Sequence, residues 1–290
     1  MKPVPFDYVA PGSIEAALAE FRQHGSEARP LAGGQSLVPM LALRLARPTI
    51  LVDLNQIEGF GNIERRGDEL VIGAMARQAD LLCSPIVAAG ANLITQALAE
   101  VGHPPTRARG TIGGSLCHAD PAAELPAAMV ALEAKLTIRG PQGERSIQAN
   151  DFFKDMFETA VGLGDLLTEI RIPVRENSAA GFIEIAHRKG DFAILSAAAI
   201  FCLDDSGYCT HARIVLGGGA PVPLRCPESE AILLGRRLDQ KAIDDAAAAV
   251  ATEQIEFDSL NASRAYRQKI APVLVARSLA AAFKQKGRDV

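Results

Sequence analysis

The pattern of apolar and polar positions predicts helices and strands that alternate irregularly up to about residue 175. Ser13 precedes apolar residues with helical spacing and Gly25 follows them, so a capped helix is expected between these two residues. Further helices are expected over 85–102, opening with Pro85, and around 126–132. Apolar runs of strand length predict strands at 28–31, 49–54, 69–74, 135–140 and 165–174.

The pattern changes after a segment rich in proline, charge and small polar residues at 173–181. Beyond it, three strands are expected within 181–219, the last two joined by a hairpin at 204–207. Helices are expected over 239–254 and 263–285, the second of them despite Pro272. We therefore predict two domains, residues 1–177 and 178–290.

Composition narrows the classes of partner that the chain can have. Its 290 residues are 48% hydrophobic, which is enough for a large core, and its net charge of −4 argues against nucleic-acid and anionic-membrane surfaces. The N-terminus has no apolar signal core, and no run reaches the roughly eighteen to twenty apolar residues of a membrane span. A cytoplasmic location is the expectation.

The cysteines do not indicate a bound metal. Five scattered cysteines without a C-x-x-C pair predict neither a disulfide framework nor a zinc or iron–sulfur site, so reduced and mostly buried thiols are expected. The cluster of Cys117, His118 and Asp120 resembles a metal site, but adjacent residues rarely point at one ion. No metal site is predicted.

Two glycine pairs are the main chemical signal. Gly33-Gly34 and Gly113-Gly114 are each followed by a serine, Ser36 or Ser115. Glycines reach left-handed backbone angles and can turn successive N–H groups toward an anion such as a pyrophosphate. The alternative is that each pair is only a tight turn, and neither a G-x-G-x-x-G fingerprint nor a P-loop is present. Because the arrangement occurs twice, it favours two anion-binding nests that grip one dinucleotide.

These loops also carry a resemblance to a known family. The segments LAGGQSLVPMLALRLARPTILVDL, VGHPPTRARGTIGGSLCHADPAAELPA, GDLLTEIRIP and HRKGDFAILSAA together resemble the medium, FAD-binding subunit of molybdenum hydroxylases. That family is typified by aerobic carbon monoxide dehydrogenase and by the flavin domain of xanthine dehydrogenase. The resemblance implies an α+β fold: a two-subdomain FAD-binding domain of the vanillyl-alcohol-oxidase type, and a smaller C-terminal domain with a three-stranded sheet and helices.

The resemblance also implies cofactor-binding residues. Those expected to wrap the FAD pyrophosphate are Ala32, Gly33, Gly34, Gln35, Ser36, Thr111, Ile112, Gly113, Gly114 and Ser115. Glu124 is expected to bind ribityl hydroxyls, with Asp120 as a competitor; the family often has Asp where Glu124 stands.

Residues expected near the flavin ring, by the same resemblance, are Leu167, Lys189, Asp191 and Phe192. Each has a plainer alternative: a buried strand residue for Leu167, an exposed ion pair for Lys189 and Asp191, and core packing for Phe192. His103 and Arg107 are expected to satisfy loop carbonyls rather than to act in catalysis, and no catalytic residue is predicted.

The implied function is electron transfer. Noncovalent FAD would collect electrons from a partner's iron–sulfur clusters and pass them to an external acceptor. A small subunit with 2Fe–2S clusters and a large subunit with the molybdenum cofactor are the expected partners, in a heterotrimer, and the chain alone should oxidise no substrate. Two alternatives stay open: a self-sufficient FAD-dependent oxidoreductase of the same fold, such as the enolpyruvyl-glucosamine reductases, and a non-catalytic flavin-binding protein.

Overall fold

The computed structural model of the chain describes residues 2–285. Its α-helices are α1 (Ile14–His24), α2 (Leu37–Ala42), α3 (Gln78–Cys83), α4 (Pro85–Gly90), α5 (Asn92–Glu100), α6 (Pro104–Arg109), α7 (Ile112–His118), α8 (Glu124–Ala131), α9 (Ala149–Phe152), α10 (Pro227–Leu233), α11 (Gln240–Ala249) and α12 (Arg264–Gln285). Its strands are β1 (Asp7–Val9), β2 (Ala28–Leu31), β3 (Ile50–Asp53), β4 (Ile63–Arg66), β5 (Glu69–Gly73), β6 (Lys135–Gly140), β7 (Gly143–Gln148), β8 (Phe153–Asp155), β9 (Glu158–Thr159), β10 (Leu166–Pro173), β11 (Ser178–Ala186), β12 (Ala193–Leu203), β13 (Cys209–Gly217) and β14 (Leu224–Arg225).

The first subdomain is a parallel sheet of order β1-β3-β2 with α1 packed against β2 and β3. The capping signals in the sequence explain both ends of α1. The Ser13 hydroxyl accepts a hydrogen bond from the Ala16 amide at 3.1 Å, and Gly25 ends the helix at a φ of 55°. Ala17 and Phe21 bury the apolar face of the helix, as its spacing predicts.

The second subdomain is an antiparallel sheet of order β4-β5-β10-β6-β7 with helices packed against it. The single helix predicted over 85–102 is wrong, because α4 and α5 are separated at Ala91, whose φ is −154°. Gly90 ends α4 where a Cβ would lie 3.2 Å from Val174, and glycine has little tendency to continue a helix. Apolar spacing alone did not reveal this break.

The C-terminal domain is a sheet of order β11-β12-β13-β14. Its three long strands are those predicted, with the two-residue β14 added at the edge. Side chains alternate between two faces, so each face is buried by a different layer. The face toward α12 carries Ala179, Leu195, Ala197, Ala199 and Leu216. The face toward α5 and α8 of the first domain carries Ala180, Phe182, Ala198, Ile200 and Val215.

An ionic cluster also joins the two domains. Glu133, just after α8, accepts a hydrogen bond from Arg213 Nε at 2.9 Å and pairs with Arg175 and His211. Burial, followed by the charge of Arg175, lowers the pKa of His211 below its ordinary value. None of the helices in the part of the chain that the structure describes has the length and apolar character needed to cross a bilayer.

Candidate functional site

The first glycine segment, residues 32–36, lies between β2 and α2. Gly34 has a φ of 74°, in the left-handed region that favours glycine. Among residues 2–285, no group accepts a hydrogen bond from the backbone amides of Gly34, Gln35 or Ser36. Three successive unpaired amides next to a serine hydroxyl are suited to binding an anionic oxygen group. We call residues 34–36 the nest.

The second glycine segment has a different structure from the one predicted. Gly114 has no positive φ, and residues 112–115 form the first turn of α7. The Thr111 hydroxyl accepts from the Gly114 amide at 3.1 Å, and the Gly113 amide donates to the Ala74 carbonyl at 2.8 Å. The Ile112 and Ser115 amides are paired as well. The prediction of a second amide nest is therefore wrong, because Thr111 and the carbonyls of Ala74 and Ala76 accept the hydrogen bonds of these amides.

The two glycine segments pack against each other. A Cβ at Gly33 would lie 2.3 Å from the Arg109 carbonyl oxygen, and one at Gly114 would lie 3.6 Å from Ala32 Cβ. A Cβ at Gly113 would lie 2.6 Å from the Ala74 carbonyl oxygen. Three of the four glycines thus permit close packing, whereas Gly34 supplies the unusual backbone angle. The segments form one feature, although about eighty residues separate them in the sequence.

Three polar residues that were not among the predicted site residues hold the segments together: Asp53, Asn55 and Arg77. We call them the polar bracket. Asn55 Nδ2 donates to the Ala32 carbonyl at 3.0 Å, and Arg77 donates to the Arg109 carbonyl and to Asn55. The Asp53 carboxylate in turn accepts hydrogen bonds from the Tyr8 hydroxyl and, at 2.9 Å, from the backbone amide of Asn55. Burial opposes the ionisation of Asp53, but these hydrogen bonds outweigh it and lower the pKa of its carboxyl. For Asp53 and Asn55, the available signal was their place at the carboxyl end of β3, where parallel sheets commonly bind ligands.

The two predicted carboxyl candidates have different environments. Glu124 begins α8 and is only 7% exposed. Burial, together with the charges of Asp120 and Glu100, raises the pKa of Glu124 to about 7. The Asp120 carboxylate accepts a hydrogen bond from the Ala122 amide at 2.9 Å, so it stabilises the turn before α8. Glu124 therefore has the more unusual chemistry of the two.

The predicted ring-side residues lie in two places. Leu167 is 4% exposed within the core, whereas Lys189, Asp191 and Phe192 lie in the loop between β11 and β12. Phe192 is 63% exposed, so its alternative as a core residue is wrong. Within residues 2–285, neither Lys189 nor Asp191 forms an ion pair, so the exposed-pair alternative is not present either.

The β11–β12 loop rests on the first domain. A Cβ at Gly190 would lie 2.6 Å from the His103 ring and 3.1 Å from the Gly102 carbonyl oxygen. Arg107 Nη1 donates to the Val101 carbonyl at 2.6 Å and to the Gly102 carbonyl at 3.1 Å. The prediction that Arg107 satisfies loop carbonyls is confirmed, and its bonds hold the surface on which the β11–β12 loop lies.

Two family models match the chain in succession. The model for the FAD binding domain in molybdopterin dehydrogenase matches residues 4–175, and that for the CO dehydrogenase flavoprotein C-terminal domain matches residues 180–282. The chain belongs to the FAD-binding family of the molybdopterin dehydrogenases. The family assignment made from the glycine segments is thereby confirmed.

Similar proteins match this chain over nearly its whole length. The alpha subunit of the 6-hydroxypseudooxynicotine dehydrogenase complex of Paenarthrobacter nicotinovorans is 40% identical over 284 residues, 98% of this chain and 96% of that protein. The medium chain of carbon monoxide dehydrogenase from Afipia carboxidovorans is 38% identical, covering 96% of this chain and 97% of that one.

A solved structure confirms the predicted fold. The structure of carbon monoxide dehydrogenase from Hydrogenophaga pseudoflava, in a form that lacks the Mo-pyranopterin moiety of the molybdenum cofactor, superposes with a TM-score of 0.94 at 36% identity. The match covers 98% of this chain and 99% of that one. The similar dehydrogenases are built from several subunits, as the names "medium chain" and "complex subunit" state.

The residues of this chain fit the chemistry of FAD. The nest supplies unpaired amides for a diphosphate, Ser36 adds a hydroxyl, and neither glycine segment contains a carboxylate that would repel phosphate. The buried carboxyl of Glu124 is an acceptor for hydroxyl groups. The donors and acceptors are therefore of the types that a dinucleotide with a polyol chain requires.

Proposed function

We propose that the chain is the FAD-binding electron-transfer subunit of a multi-subunit molybdenum hydroxylase. The observation that carries the proposal is the nest, which presents three unpaired amides in a domain that matches an FAD-binding family over residues 4–175. Bound FAD supplies the redox chemistry, because a flavin accepts two electrons and releases them singly or in pairs. The chain itself binds and orients this cofactor.

In this proposal the chain's residues have distinct tasks. Residues 32–36 hold the diphosphate of noncovalently bound FAD, and residues 111–115 buttress them and add the Ser115 hydroxyl. Glu124 accepts hydrogen bonds from the ribityl chain. Lys189, Asp191 and Phe192 lie near the flavin ring, and Leu167 supports it from the core. The domain division falls between residues 177 and 178 and leaves the site between the two domains.

We infer the partner subunits from what an electron-transfer subunit requires. An electron-transfer subunit needs a donor, and no motif for an iron–sulfur cluster occurs in this sequence, whose five cysteines form no disulfide within residues 2–285. A small iron–sulfur subunit and a large molybdenum-cofactor subunit would supply the clusters and the substrate site. We place the assembly in the cytoplasm.

The test compares the chain alone with the assembled enzyme. The purified chain should release FAD, not FMN, when denatured. Mixed anaerobically with the substrate of the assembly, the lone chain should keep its flavin absorbance, whereas the complex with both partner subunits should lose it. If substrate bleaches the lone chain as fast as the complex, the chain is a self-sufficient oxidoreductase. If flavin in the complex is never reduced by substrate, the chain is a non-catalytic flavin-binding protein.

A further inference from the structure

Gln96 of α5, in the first domain, bonds to the backbone of the C-terminal domain. Its side-chain Nε2 donates a hydrogen bond to the Ala180 carbonyl, and its Oε1 accepts one from the Phe182 amide, each 3.0 Å long. The polar contact between Glu133 and Arg213, by contrast, joins two side chains across the domains. Gln96 therefore fixes the course of the main chain of β11, which a contact between two side chains does not.

The two bonds of Gln96 take the place of a neighbouring strand. β11 lies at the edge of the sheet of order β11-β12-β13-β14, so one side of its backbone has no strand partner. A bond to one carbonyl and a bond from the amide two residues further on are those that one residue of a parallel strand would form. Ala180 and Phe182 are buried, so these backbone groups need a partner within the protein. A carboxamide is suited to this role, because it carries a donor and an acceptor at once.

Gly181, between the two bonded residues, brings β11 close to α12. A Cβ at Gly181 would overlap the Ser278 carbonyl oxygen and would lie 3.1 Å from the Ala282 amide nitrogen. Because any side chain at this position would displace α12, the strand and the helix are in close contact here. Residues 180–182 are thus held by α5 of the first domain and by α12 of their own domain. β11 cannot slide along α5 without breaking the bonds of Gln96.

The same helix and strand lead to a second contact between the domains. α5 is followed by Gly102 and His103, and β11 is followed by the loop that contains Gly190. Gly190 has a φ of 86°, and a Cβ there would lie 2.6 Å from the His103 ring and 3.1 Å from the Gly102 carbonyl oxygen. The bonds of Gln96 and the packing of Gly190 therefore define one line of contact, which ends at residues 189–192.

We propose that Gln96 is a positioning residue for the flavin, acting through β11. The nest holds the diphosphate from the first domain, whereas residues 189–192, which we place beside the flavin ring, belong to the C-terminal domain. The bonds of Gln96 set how far apart these two groups of residues lie. The inference rests on the proposed function, since it requires FAD bound by residues of both domains.

Visible circular dichroism of the FAD-loaded chain tests the inference, because the flavin bands report the surroundings of the ring and not those of the diphosphate. Gln96→Met keeps a side chain of similar length but removes the donor and the acceptor. The nest is unchanged in this variant, so FAD affinity should fall by less than about tenfold. The flavin bands should nevertheless change in sign or intensity. Gln285→Ala is the matched control, because it removes a 3.4 Å side-chain bond from Asn92 across the domains and leaves β11 in place, so its bands should be those of the wild type.

Gln96→Glu distinguishes positioning from a general loss of packing. Its carboxyl still accepts a hydrogen bond from the Phe182 amide, but only its protonated form can donate one to the Ala180 carbonyl. Burial and the charge of Glu100, one turn further along α5, should raise the pKa of the new carboxyl, so wild-type bands should return at about pH 5.5 and be lost at about pH 8.5. A merely structural role would not give this pH-dependent rescue.

Each variant spectrum is compared with the wild-type spectrum at the same pH, because burial raises the pKa of Glu124 to about 7 and that of Glu184 to about 8 in every one of these proteins. Wild-type bands in Gln96→Met, or no effect of pH on the difference between Gln96→Glu and the wild type, would overturn the inference and leave the proposed function intact. If Gln96→Met does not fold, the Gln96→Glu comparison decides alone. Failure of the wild-type chain to bind FAD would instead overturn the proposed function.

Discussion

At the scale of single residues, Gly33 and Gly34 have different roles although they are adjacent. Gly33 lets the Arg109 carbonyl approach, whereas Gly34 adopts a φ of 74° and exposes the amides that follow it. A side chain at Gly33 would therefore separate two segments of the fold, and one at Gly34 would distort the nest alone. Substitution at Gly34 is the more selective test of anion binding.

Gly34→Val should lower FAD affinity by at least about tenfold, or roughly 1.4 kcal/mol. The new side chain would strain the left-handed backbone and crowd Val38, whose methyl group is 3.1 Å from a Cβ at Gly34. Flavin fluorescence titration measures the change. Gly67→Val is the matched control, because Gly67 also has a positive φ, of 60°, but no atom lies within 4 Å of its Cβ position. Equal FAD affinity in both variants would show that the nest does not hold the cofactor.

Glu184→Gln should stabilise the flavin-free protein in mildly alkaline solution. Burial, followed by the charge of Glu124, raises the folded-state pKa of Glu184 on β11 to about 8, above the ordinary value of 4.5, so the contribution of Glu184 to wild-type stability falls as pH rises from 4.5 to about 8 and is then constant. Glutamine carries no charge at any of these pH values and removes that loss. Thermal unfolding should give equal midpoints below pH 4.5 and a higher midpoint for the variant at pH 8. A constant difference at every pH would contradict a buried, protonated Glu184.

At the scale of secondary-structure elements, two residues outside the glycine segments hold them in place: Asn55 after β3 and Arg77 before α3. Asn55 donates a hydrogen bond to the Ala32 carbonyl in the first segment. Arg77 donates one to the Arg109 carbonyl, just before the second segment. The two residues also bond to each other. The bracket links β3, the segment before α3 and the start of α7, so the nest is held by elements from both subdomains.

Asn55→Ala should weaken FAD binding although Asn55 is outside both glycine segments. The substitution leaves the Ala32 carbonyl and the Arg77 guanidinium each short of a partner, at a cost of about 1 to 3 kcal/mol in unfolding free energy. Chemical denaturation measures the loss of unfolding free energy, and FAD titration measures the loss of affinity. Gln240→Ala is the control, because it removes only an exposed hydrogen bond from the Gln240 side-chain amide to Asp244, 2.7 Å long, on α11. Neither the unfolding free energy nor the free energy of FAD binding should change by more than about 0.5 kcal/mol.

Elements with strong local signals were predictable, and elements that depend on packing were not. α1 has a serine cap, helical spacing and a terminal glycine, so its bounds followed from the sequence. α7 contains two glycines, which suggest a loop, yet Thr111 and the close approach to Ala74 make it a helix. Likewise, the glycine segments of the site were recognisable, and Asn55 was marked by its place after β3, whereas Arg77 acts through contacts that no local pattern encodes.

At the scale of the whole molecule, Glu133 joins the two domains. It pairs with Arg175 at the domain boundary and with His211 and Arg213 of β13. Arg213 also approaches the buried Glu230 at 3.6 Å, and Arg225 forms a bidentate pair with Glu230, from Nε to Oε1 and from Nη2 to Oε2. The two carboxylates thus anchor the basic residues on one edge of the C-terminal sheet.

Glu133→Ala should loosen the contact between the domains. Arg175 would lose its carboxylate partner, and Arg213 would lose one of its two, at half-buried positions, for a loss of about 1 to 3 kcal/mol in unfolding free energy. Limited proteolysis should then cleave faster near residues 174–178. Glu144→Ala is the control, since Glu144 is exposed and pairs with Arg139 at 3.4 Å, and it should change stability by less than about 1 kcal/mol. Unchanged cleavage in Glu133→Ala would show that apolar packing alone holds the domains.

The packing of Gly33 against the Arg109 carbonyl also fixes when, during synthesis, this protein can acquire its cofactor. The nest is supported by residues that the ribosome delivers about eighty positions later. A contact this distant in sequence forms only after the intervening chain has been made and folded. A nascent chain that ends before α7 therefore has no completed nest. Loading with FAD follows translation of the first domain and marks a chain whose N-terminal half has reached its final structure.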